Sequence, residues 1–190
     1  SVIYPGIDLP TIKPAPSGPL RVGLLGRLDP VKGHSYFLEA VGFMKDHLTD
    51  ELFLVAGEQK NTAPKDLEQQ AVRLGIERWV RFLGRVPDAG TFMEECHVGV
   101  IASVESEAVS RAALEWLARG RPLVATEVGA LPEMVLNGDN GYLVPPRNAT
   151  GLARTLRLLM DDPDRRRKMG ERARRTAETR FSLDRLGEET

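Results

Sequence analysis

The feature of this sequence that most constrains its fold is a regular alternation of short apolar runs with amphipathic stretches. The apolar runs contain no alternating polar residues, which is the pattern of strands covered on both faces of a parallel sheet. Strand-helix units that repeat in this way predict an α/β fold. The predicted strands cover residues 21–25, 52–56, 80–82, 98–102, 122–126 and 141–144.

Helices are predicted between these strands, where apolar residues recur at helical spacing, as at Leu67, Ala71 and Leu74. The last helix has the clearest start, because Asp162 can cap its first turn and Pro163 suits the first helical position. The expected fold is therefore a Rossmann-like three-layer α/β/α sandwich with about six parallel strands. The predicted helices cover residues 32–47, 64–74, 88–94, 109–118, 131–136, 148–160 and 163–179.

Composition excludes several classes of protein. The 190 residues suffice for one domain with a full core. With 26 basic and 27 acidic residues, the net charge of −1 gives no general reason to expect a nucleic-acid partner. The only cysteine, Cys96, has no partner for a disulfide or a zinc site, which favours a cytoplasmic setting. No apolar run approaches the ~18 residues of a membrane span, and no signal-peptide pattern opens the chain.

A loop with two glycines and two cations separates the first predicted strand from the first predicted helix. It covers residues 26–33 and includes Gly26, Arg27, Lys32 and Gly33. Ligands of open parallel sheets bind at the carboxyl ends of strands, so a loop here suits a diphosphate. Arg27 can donate two hydrogen bonds to phosphate oxygens, and Lys32 adds a point charge. The loop matches neither the dinucleotide glycine fingerprint nor the P-loop, so a solvated loop remains an equal interpretation of this segment alone.

Glu107 and Glu115 follow the fourth predicted strand, eight residues apart. On an ideal helix this spacing separates two carboxylates by about 80° around the axis and up to about 12 Å along it. That separation is too large for a shared proton and suits contacts to two parts of one long ligand. The amides of Val109, Ser110 and Arg111, in the predicted first turn, would face an anion between them. Carboxylates accept hydrogen bonds from vicinal hydroxyls such as those of a ribose or a hexose.

Taken together, these residues resemble the donor-binding half of retaining glycosyltransferases of the GT-B type. The resemblance is to the large family called glycosyl transferases group 1, with its Glu-x7-Glu motif. It extends from Val2 to Phe181 and depends on the order and spacing of several short segments. These segments are residues 2–8, 26–33, 55–58, 82–86, 107–115, 120–126 and 129–133.

The resemblance implies a domain organisation. Residues 1–190 would form a single Rossmann-like nucleotide-sugar-binding domain. Residues 1–19 would lead in from an N-terminal acceptor domain that this sequence lacks, and residues 163–190 would form a C-terminal helix and tail. Because the chain starts at Ser1 without an initiator Met, we expect an excised half that is inactive alone.

The resemblance also implies roles for single residues. Arg27 and Lys32 would neutralise the donor diphosphate and stabilise the leaving nucleoside diphosphate, without a general base from this half. Glu107 would contact the hydroxyls of the transferred sugar, and Glu115 those of the ribose, while the main chain near Val86 would lie beside the base. We expect hexosyl-type transfer from a UDP- or GDP-sugar with retention, no cofactor and no metal. The remaining donor-binding residues would be Gly26, Val109, Ser110 and Arg111.

Two departures from the family pattern leave other functions open. An aromatic-Gly pair is usual where this chain has Val109-Ser110, and Gly-Gly is usual where it has Gly129-Ala130. The alternatives are a module that binds a nucleotide sugar without transferring it, and an epimerase of the same architecture. A phosphorylase would need a lysine environment for its cofactor that we do not identify. A flavodoxin-like signalling domain would need an acidic pocket where this chain has Arg27.

The last predicted helix is strongly basic, but an apolar stripe at Met169, Ala173 and Ala177 suggests an ordinary packed helix. We expect its other residues to be a solvated face rather than a membrane-binding surface. Asp162 and Asp164 imitate a metal-binding Asp-x-Asp, which helix capping explains. The family's lipid-linked acceptors predict a bacterial role in cell-envelope polysaccharide or glycolipid synthesis, with peripheral contact at the cytoplasmic membrane face. The basic residues of this helix are Arg165, Arg166, Arg167, Lys168, Arg172, Arg174, Arg175 and Arg180.

Overall fold

The computed structural model describes residues 6–105, 107 and 110–182, and within them six strands form one parallel sheet. The strand order is β3-β2-β1-β4-β5-β6, so the chain starts in the middle of the sheet and builds outward in two directions. All neighbouring strands pair in parallel. The strands are β1 Arg21–Leu25, β2 Leu52–Ala56, β3 Val80–Gly84, β4 Val98–Ile101, β5 Leu123–Thr126 and β6 Gly141–Val144.

Helices cover both faces of the sheet, which confirms the predicted three-layer α/β/α fold. Helices α1, α2 and α6 pack with one hydrophobic core around Phe37 and Phe53, and α3, α4, α5 and α7 with a second core around Trp116. The helices are α1 His34–Met44, α2 Pro64–Leu74, α3 Ala89–Glu94, α4 Arg111–Ala118, α5 Leu131–Met134, α6 Ala149–Met160 and α7 Pro163–Arg180. Short 3₁₀ turns precede and follow α1, at Pro30–Lys32 and Lys45–His47.

The start of the fourth helix differs from the prediction in a way that affects the site. The sequence predicts a helix from residue 109, but α4 begins at Arg111 because Ser110 caps it, with its hydroxyl accepting from the Ala113 amide at 3.3 Å. The first-turn amides therefore start at Arg111, not two residues earlier, while Val109 lies outside the described residues. Glu107 belongs to the loop before the helix. The ideal-helix geometry assumed for Glu107 and Glu115 therefore does not apply, because only Glu115 lies on α4.

A pair of glycines brings α4 close to the sheet. Gly23 of β1 and Gly99 of β4 are register partners, so a patch without side chains lies at the sheet centre. The indole of Trp116 fills it, because a Cβ on Gly99 would come within 2.4 Å of the ring and one on Gly23 within 3.1 Å. Trp116 is fully buried and meets Phe92 edge-on, with centroids 6.2 Å apart. This packing fixes the helix that carries Glu115.

The N-terminal segment is tied to the end of the chain. The Ile7 amide donates to the Phe181 carbonyl at 2.8 Å, and Arg174 of α7 donates to the Pro10 carbonyl at 2.8 Å. Lys13 pairs with Glu94 of α3 at 2.6 Å. Residues 6–16 therefore run across the α4 side of the sheet. Among the described helices, none combines the length and hydrophobicity needed to cross a bilayer.

Candidate functional site

The loop of residues 26–33 is held in place by a buried carboxylate. Asp29, which is 5% exposed, caps the 3₁₀ turn by accepting from the Val31 amide at 3.2 Å, and it also accepts from Asn61 at 2.7 Å. These hydrogen bonds hold the pKa of Asp29 below its usual value, with the Val31 amide as the main cause. The Asp29 side chain therefore stays ionised. By capping the turn, it holds Lys32, the last residue of the turn, at the site.

Gly33 joins this loop to the one after β4. Its φ of 71° lies in the left-handed region, and a Cβ would stand 1.8 Å from the Ala102 carbonyl oxygen. Only glycine allows this approach. The two loops that bear Lys32 and Glu107 are therefore in direct backbone contact.

Glu107 is held from three directions. Its carboxylate accepts hydrogen bonds from the Lys32 ammonium and from the Ser103 hydroxyl, the latter at 2.5 Å, and its side chain is 13% exposed. The Glu107 carbonyl accepts from the Ala130 amide at 2.8 Å. Thr126, at the end of β5, donates its hydroxyl to the Ser103 carbonyl at 2.6 Å. Groups that follow β1 and β4 thus meet at the Glu107 carboxylate, and groups at and after the end of β5 hold the Glu107 and Ser103 carbonyls.

Two neighbouring cavities open at this edge of the sheet. The first has a volume of about 240 Å³ and lies over the ends of β1 and β4, and the second, of about 470 Å³, lies along α4. Arg111 lines both, so its side chain stands between them. Of the predicted site residues, the first cavity contains Gly26, Lys32, Glu107, Ser110 and Arg111, and the second contains Arg111 and Glu115.

Glu115 is paired with the arginine one turn before it. The Arg111 Nε donates to the Glu115 carboxylate at 2.8 Å, with Arg111 87% exposed and Glu115 only 18% exposed. The arginine is therefore free to swing away, while the carboxylate stays in the cavity wall. Asp8 and Asp88 line the same cavity.

Two predicted residues lie outside both cavities. Arg27 is exposed and makes no hydrogen bond or ion pair with any described residue, so its guanidinium is available to a ligand. Val86 is half-buried against the core, although Asp88, two residues later, reaches the second cavity. Val109 cannot be assessed, since it lies outside the described part of the chain.

Sequence reasoning missed the residues that hold Glu107 and the loop. Ser103 and Thr126 are polar residues at the ends of buried strands, a signal that could have singled them out. Asn61 offers no such signal, because it lies 32 residues from Asp29. Its role follows only from the neighbouring positions of β1 and β2.

Histidine contributes no charge to the site. His34 lies under the loop and is 2% exposed, and burial lowers its pKa to about 4, so it is neutral at pH 7. Among the described residues, no three His, Cys, Asp or Glu side chains gather as potential metal ligands. The cations available to an anion are Arg27, Lys32 and Arg111.

A protein-family model described as "Glycosyl transferases group 1" matches residues 19–162, which is most of the chain and includes every predicted site residue. The chain belongs to this family. That assignment agrees with the resemblance drawn from the motifs, and it places the sheet, the loop of residues 26–33 and the Glu-x7-Glu motif within one recognised family domain.

Curated relatives of this glycosyltransferase-family chain are about twice as long. It is 31% identical to the D-inositol 3-phosphate glycosyltransferase of Streptomyces bingchenggensis, with all of this chain matching 46% of the relative. The Streptomyces avermitilis protein of the same name is 32% identical over 94% of this chain and 43% of its own length. The chain therefore spans about half the length of the curated relatives it matches.

Solved structures of similar proteins show the same fold. HepE of Anabaena, solved in complex with UDP, superposes with a TM-score of 0.83 and 27% identity, over 90% of this chain and 47% of HepE. The C-terminal domain of a group 1 glycosyl transferase from Francisella tularensis has a TM-score of 0.79 and 26% identity, over 95% of this chain and 96% of that domain. The second match indicates that a family domain of this extent can be isolated in folded form.

Proposed function

We propose that this chain is the donor-binding half of a metal-independent, retaining glycosyltransferase that takes a hexose from a nucleoside-diphosphate sugar, and that the half is inactive by itself. The observation that carries the proposal is the pair of cavities that share Arg111. One contains a lysine and a fixed glutamate, and the other a second glutamate. This arrangement suits a ligand with a charged centre and hydroxyl-bearing groups on both sides.

The roles follow from the chemistry of each cavity. Lys32, Arg27 and the first amides of α4 would bind the diphosphate and stabilise the charge that grows on it as the glycosidic bond breaks. Glu107 would accept hydrogen bonds from the transferred sugar, and Glu115 from the ribose. The main chain near Val86 would lie beside the base.

Each glutamate of the site is paired with a cation that a bound anion would attract instead. Lys32 is bonded to Glu107 and Arg111 to Glu115. A diphosphate entering between them would attract both cations, and each glutamate would be released towards a hydroxyl. The complexes of HepE with UDP and with UDP-glucose support a uridine nucleotide as the first donor to test.

The remaining steps belong to the longer protein. The acceptor would be bound by a second, N-terminal domain, and attack would come from the same face as the departing diphosphate, which retains the anomeric configuration. We propose a cytoplasmic enzyme of bacterial cell-envelope polysaccharide or glycolipid synthesis, in peripheral contact with the membrane through its acceptor. The anomer formed by the full-length protein, read by proton NMR, tests retention.

Calorimetric titration of the chain with UDP and with uridine, with and without Mg²⁺, tests the donor-binding proposal. We expect UDP to bind equally well without Mg²⁺. Lys32→Met should weaken UDP binding about tenfold or more, because a charge-assisted contact to phosphate is lost, and should hardly change uridine binding. Glu115→Gln should weaken the binding of both ligands, since both carry the ribose.

Lys45→Met is the matched control, because Lys45 is an exposed lysine at the end of α1, away from both cavities. It should bind UDP like the unaltered chain. If Lys32→Met and Lys45→Met bound UDP with the same affinity, or if binding required Mg²⁺, the proposed diphosphate site would be wrong.

A further inference from the structure

A third cavity lies at the opposite end of the sheet. It has a volume of about 540 Å³ and is walled by residues 12–15, by residues 119–122 between α4 and β5, by His97 before β4, and by residues of α7 between 163 and 174. These segments sit at the amino ends of the strands, whereas Lys32 and Glu107 sit at the carboxyl ends. Strands of four or five residues separate the two ends by roughly 15 Å. Neither the family assignment nor the proposed function uses this cavity.

Almost all charged side chains that line this cavity are cationic. Glu171 is the one carboxylate among the lining residues, all of which the structure describes. The net charge of the whole chain is only −1, so this cavity concentrates positive charge that the composition hides. The lining cations are Lys13, Arg119, Arg121, Arg166, Arg167 and Arg174.

Three of these cations have carboxylate partners and three do not. Lys13, Arg167 and Arg174 form ion pairs, with Glu94, with Asp164 and Glu171, and with Glu178 respectively. Within the described ranges, by contrast, the remaining three arginines form no ion pair. They are Arg119, Arg121 and Arg166.

Backbone carbonyls satisfy some donors of these arginines without neutralising them. Nη1 of Arg166 donates to the Leu159 carbonyl at 2.6 Å, and Nη2 of Arg121 donates to the Pro14 carbonyl at 3.1 Å. A guanidinium has five N–H donors, so most remain. The Nε of Arg121 is buried without any acceptor among the described residues. The prediction that the basic residues of α7 form a solvated face is therefore wrong for Arg166, which is half-buried.

Burial of these charges is costly unless an anion is near. Arg121 is only 5% exposed, and burial holds the pKa values of Arg121 and Arg166 below their usual value, although Glu94 near Arg121 and Asp162 near Arg166 oppose this shift. His97 contributes no charge, because burial, and secondarily Arg166, lowers its pKa to about 4. An unpaired buried cation destabilises a fold because its lost hydration is not replaced, and a bound anion offsets this cost.

We propose that this cavity binds a small organic phosphate, with its phosphate between Arg166 and Arg121 and its apolar body against Ile12, Pro122 and Pro163. The concave shape and volume suit a small molecule, since pockets of about 300–1,000 Å³ are typical for such ligands. The proline rings and methylene groups of the wall favour a ligand with an apolar body over inorganic phosphate. The site would be separate from the proposed donor site.

The test uses phenyl phosphate and inorganic phosphate as probes, with the ¹⁵N-labelled chain observed by NMR. Phenyl phosphate should bind saturably and more tightly than inorganic phosphate, with shifts centred on residues 119–122 and 163–167. Arg166→Gln should weaken this binding at least fivefold. Glu171→Gln should strengthen it, because the only lining carboxylate is lost, and this variant keeps the test decisive if Arg166→Gln folds poorly.

Arg165→Gln is the matched control, since Arg165 neighbours Arg166 but pairs with Asp162 outside this cavity. It should leave the affinity unchanged, as should Lys32→Met, whose effect on UDP reports the donor site independently. The proposal would be overturned if phenyl phosphate did not saturate, if its shifts lay only around residues 26–33, or if Arg165→Gln and Arg166→Gln weakened binding equally.

Discussion

At the scale of single residues, backbone contacts made possible by glycine determine the geometry of the site. The Gly33 contact with the Ala102 carbonyl brings the Lys32 loop against the Glu107 loop. The Ser103 hydroxyl then donates to the Glu107 carboxylate at 2.5 Å, and the Thr126 hydroxyl holds Ser103 by donating to its carbonyl at 2.6 Å. The charged groups that the motifs identify therefore depend on neighbours that carry no charge.

Gly33→Ala should destabilise the chain more than the same substitution at another glycine with positive φ. Gly138 has a φ of 81° and free space around its Cβ position, so Gly138→Ala should cost only the backbone strain, about 1–2 kcal/mol. At Gly33 the clash with the Ala102 carbonyl should add roughly 1–3 kcal/mol. Urea unfolding of both variants measures the difference. Equal free energies of unfolding would mean that the loops do not touch as described.

At the scale of elements, α4 connects the core to the site. Its inner face carries Trp116, which the two strand glycines admit, and its start carries Ser110 and Arg111. The helix therefore presents its first amides at the carboxyl end of the sheet. Glu115 lies one turn beyond Arg111, along the second cavity.

Variants of the Ser110 cap separate helix stability from ligand binding. Ser110→Ala should lower the free energy of unfolding by about 1 kcal/mol, because the Ala113 amide loses its acceptor, whereas Ser110→Asp should preserve the cap. The new charge of Ser110→Asp should nevertheless weaken UDP binding, since it would stand beside the diphosphate. Denaturation and calorimetry on both variants give the two readouts.

Asn148 provides the control for this pair, because it caps α6, away from both cavities, by accepting from the Gly151 amide at 2.8 Å. Asn148→Asp should preserve stability and leave UDP binding unchanged. Unaltered UDP affinity in Ser110→Asp would instead show that no anion binds at the start of α4.

At the scale of the whole molecule, the two ends of the sheet have different electrostatics. At the carboxyl ends, Lys32 and Arg111 are each matched by a glutamate. At the amino ends, three arginines have no carboxylate partner among the described residues. Two buried neutral histidines, His34 and His97, lie one at each end, and both have pKa values of about 4.

These histidines predict a loss of stability in mild acid. Their unfolded pKa is about 6.5, so between pH 6.5 and 4 the unfolded chain binds more protons than the folded chain. The free energy of unfolding should therefore fall as pH falls through this window, by on the order of 1–2 kcal/mol per histidine between pH 7 and 5. Urea unfolding at both pH values measures it, and His34→Gln with His97→Gln should flatten the dependence.

His47 is the control because it is exposed at the end of the turn after α1. His47→Gln should keep the pH dependence of the unaltered chain. A dependence unaffected by the His34 and His97 substitutions would have to come from other groups. The aspartates with lowered pKa act below this window, since their stabilisation is lost only near and below about pH 4.

The strands, most helix boundaries and the charged site residues follow from local sequence. Apolar runs covered on both faces specify a parallel sheet, and caps such as Asp162 set helix starts, so these features need only nearby residues. For the fourth helix, only the start differs from the prediction, by two residues. The helical pattern of the sequence extends upstream of Ser110, but the Ser110 cap starts the helix at Arg111. Lys32 and Glu107 could be assigned to one site because each lies in the segment between a strand and the next helix.

Only the tertiary structure decided which distant residues meet. Gly23, Gly99 and Trp116 combine across the β1–β4 pair, and Asn61 reaches Asp29 across β1 and β2. The cavity of unpaired arginines depends on the N-terminal segment, α4 and α7, which are far apart in the chain. Local sequence encodes periodicity, caps and charge, whereas the partners of a buried group depend on how the crossovers stack helices on the sheet.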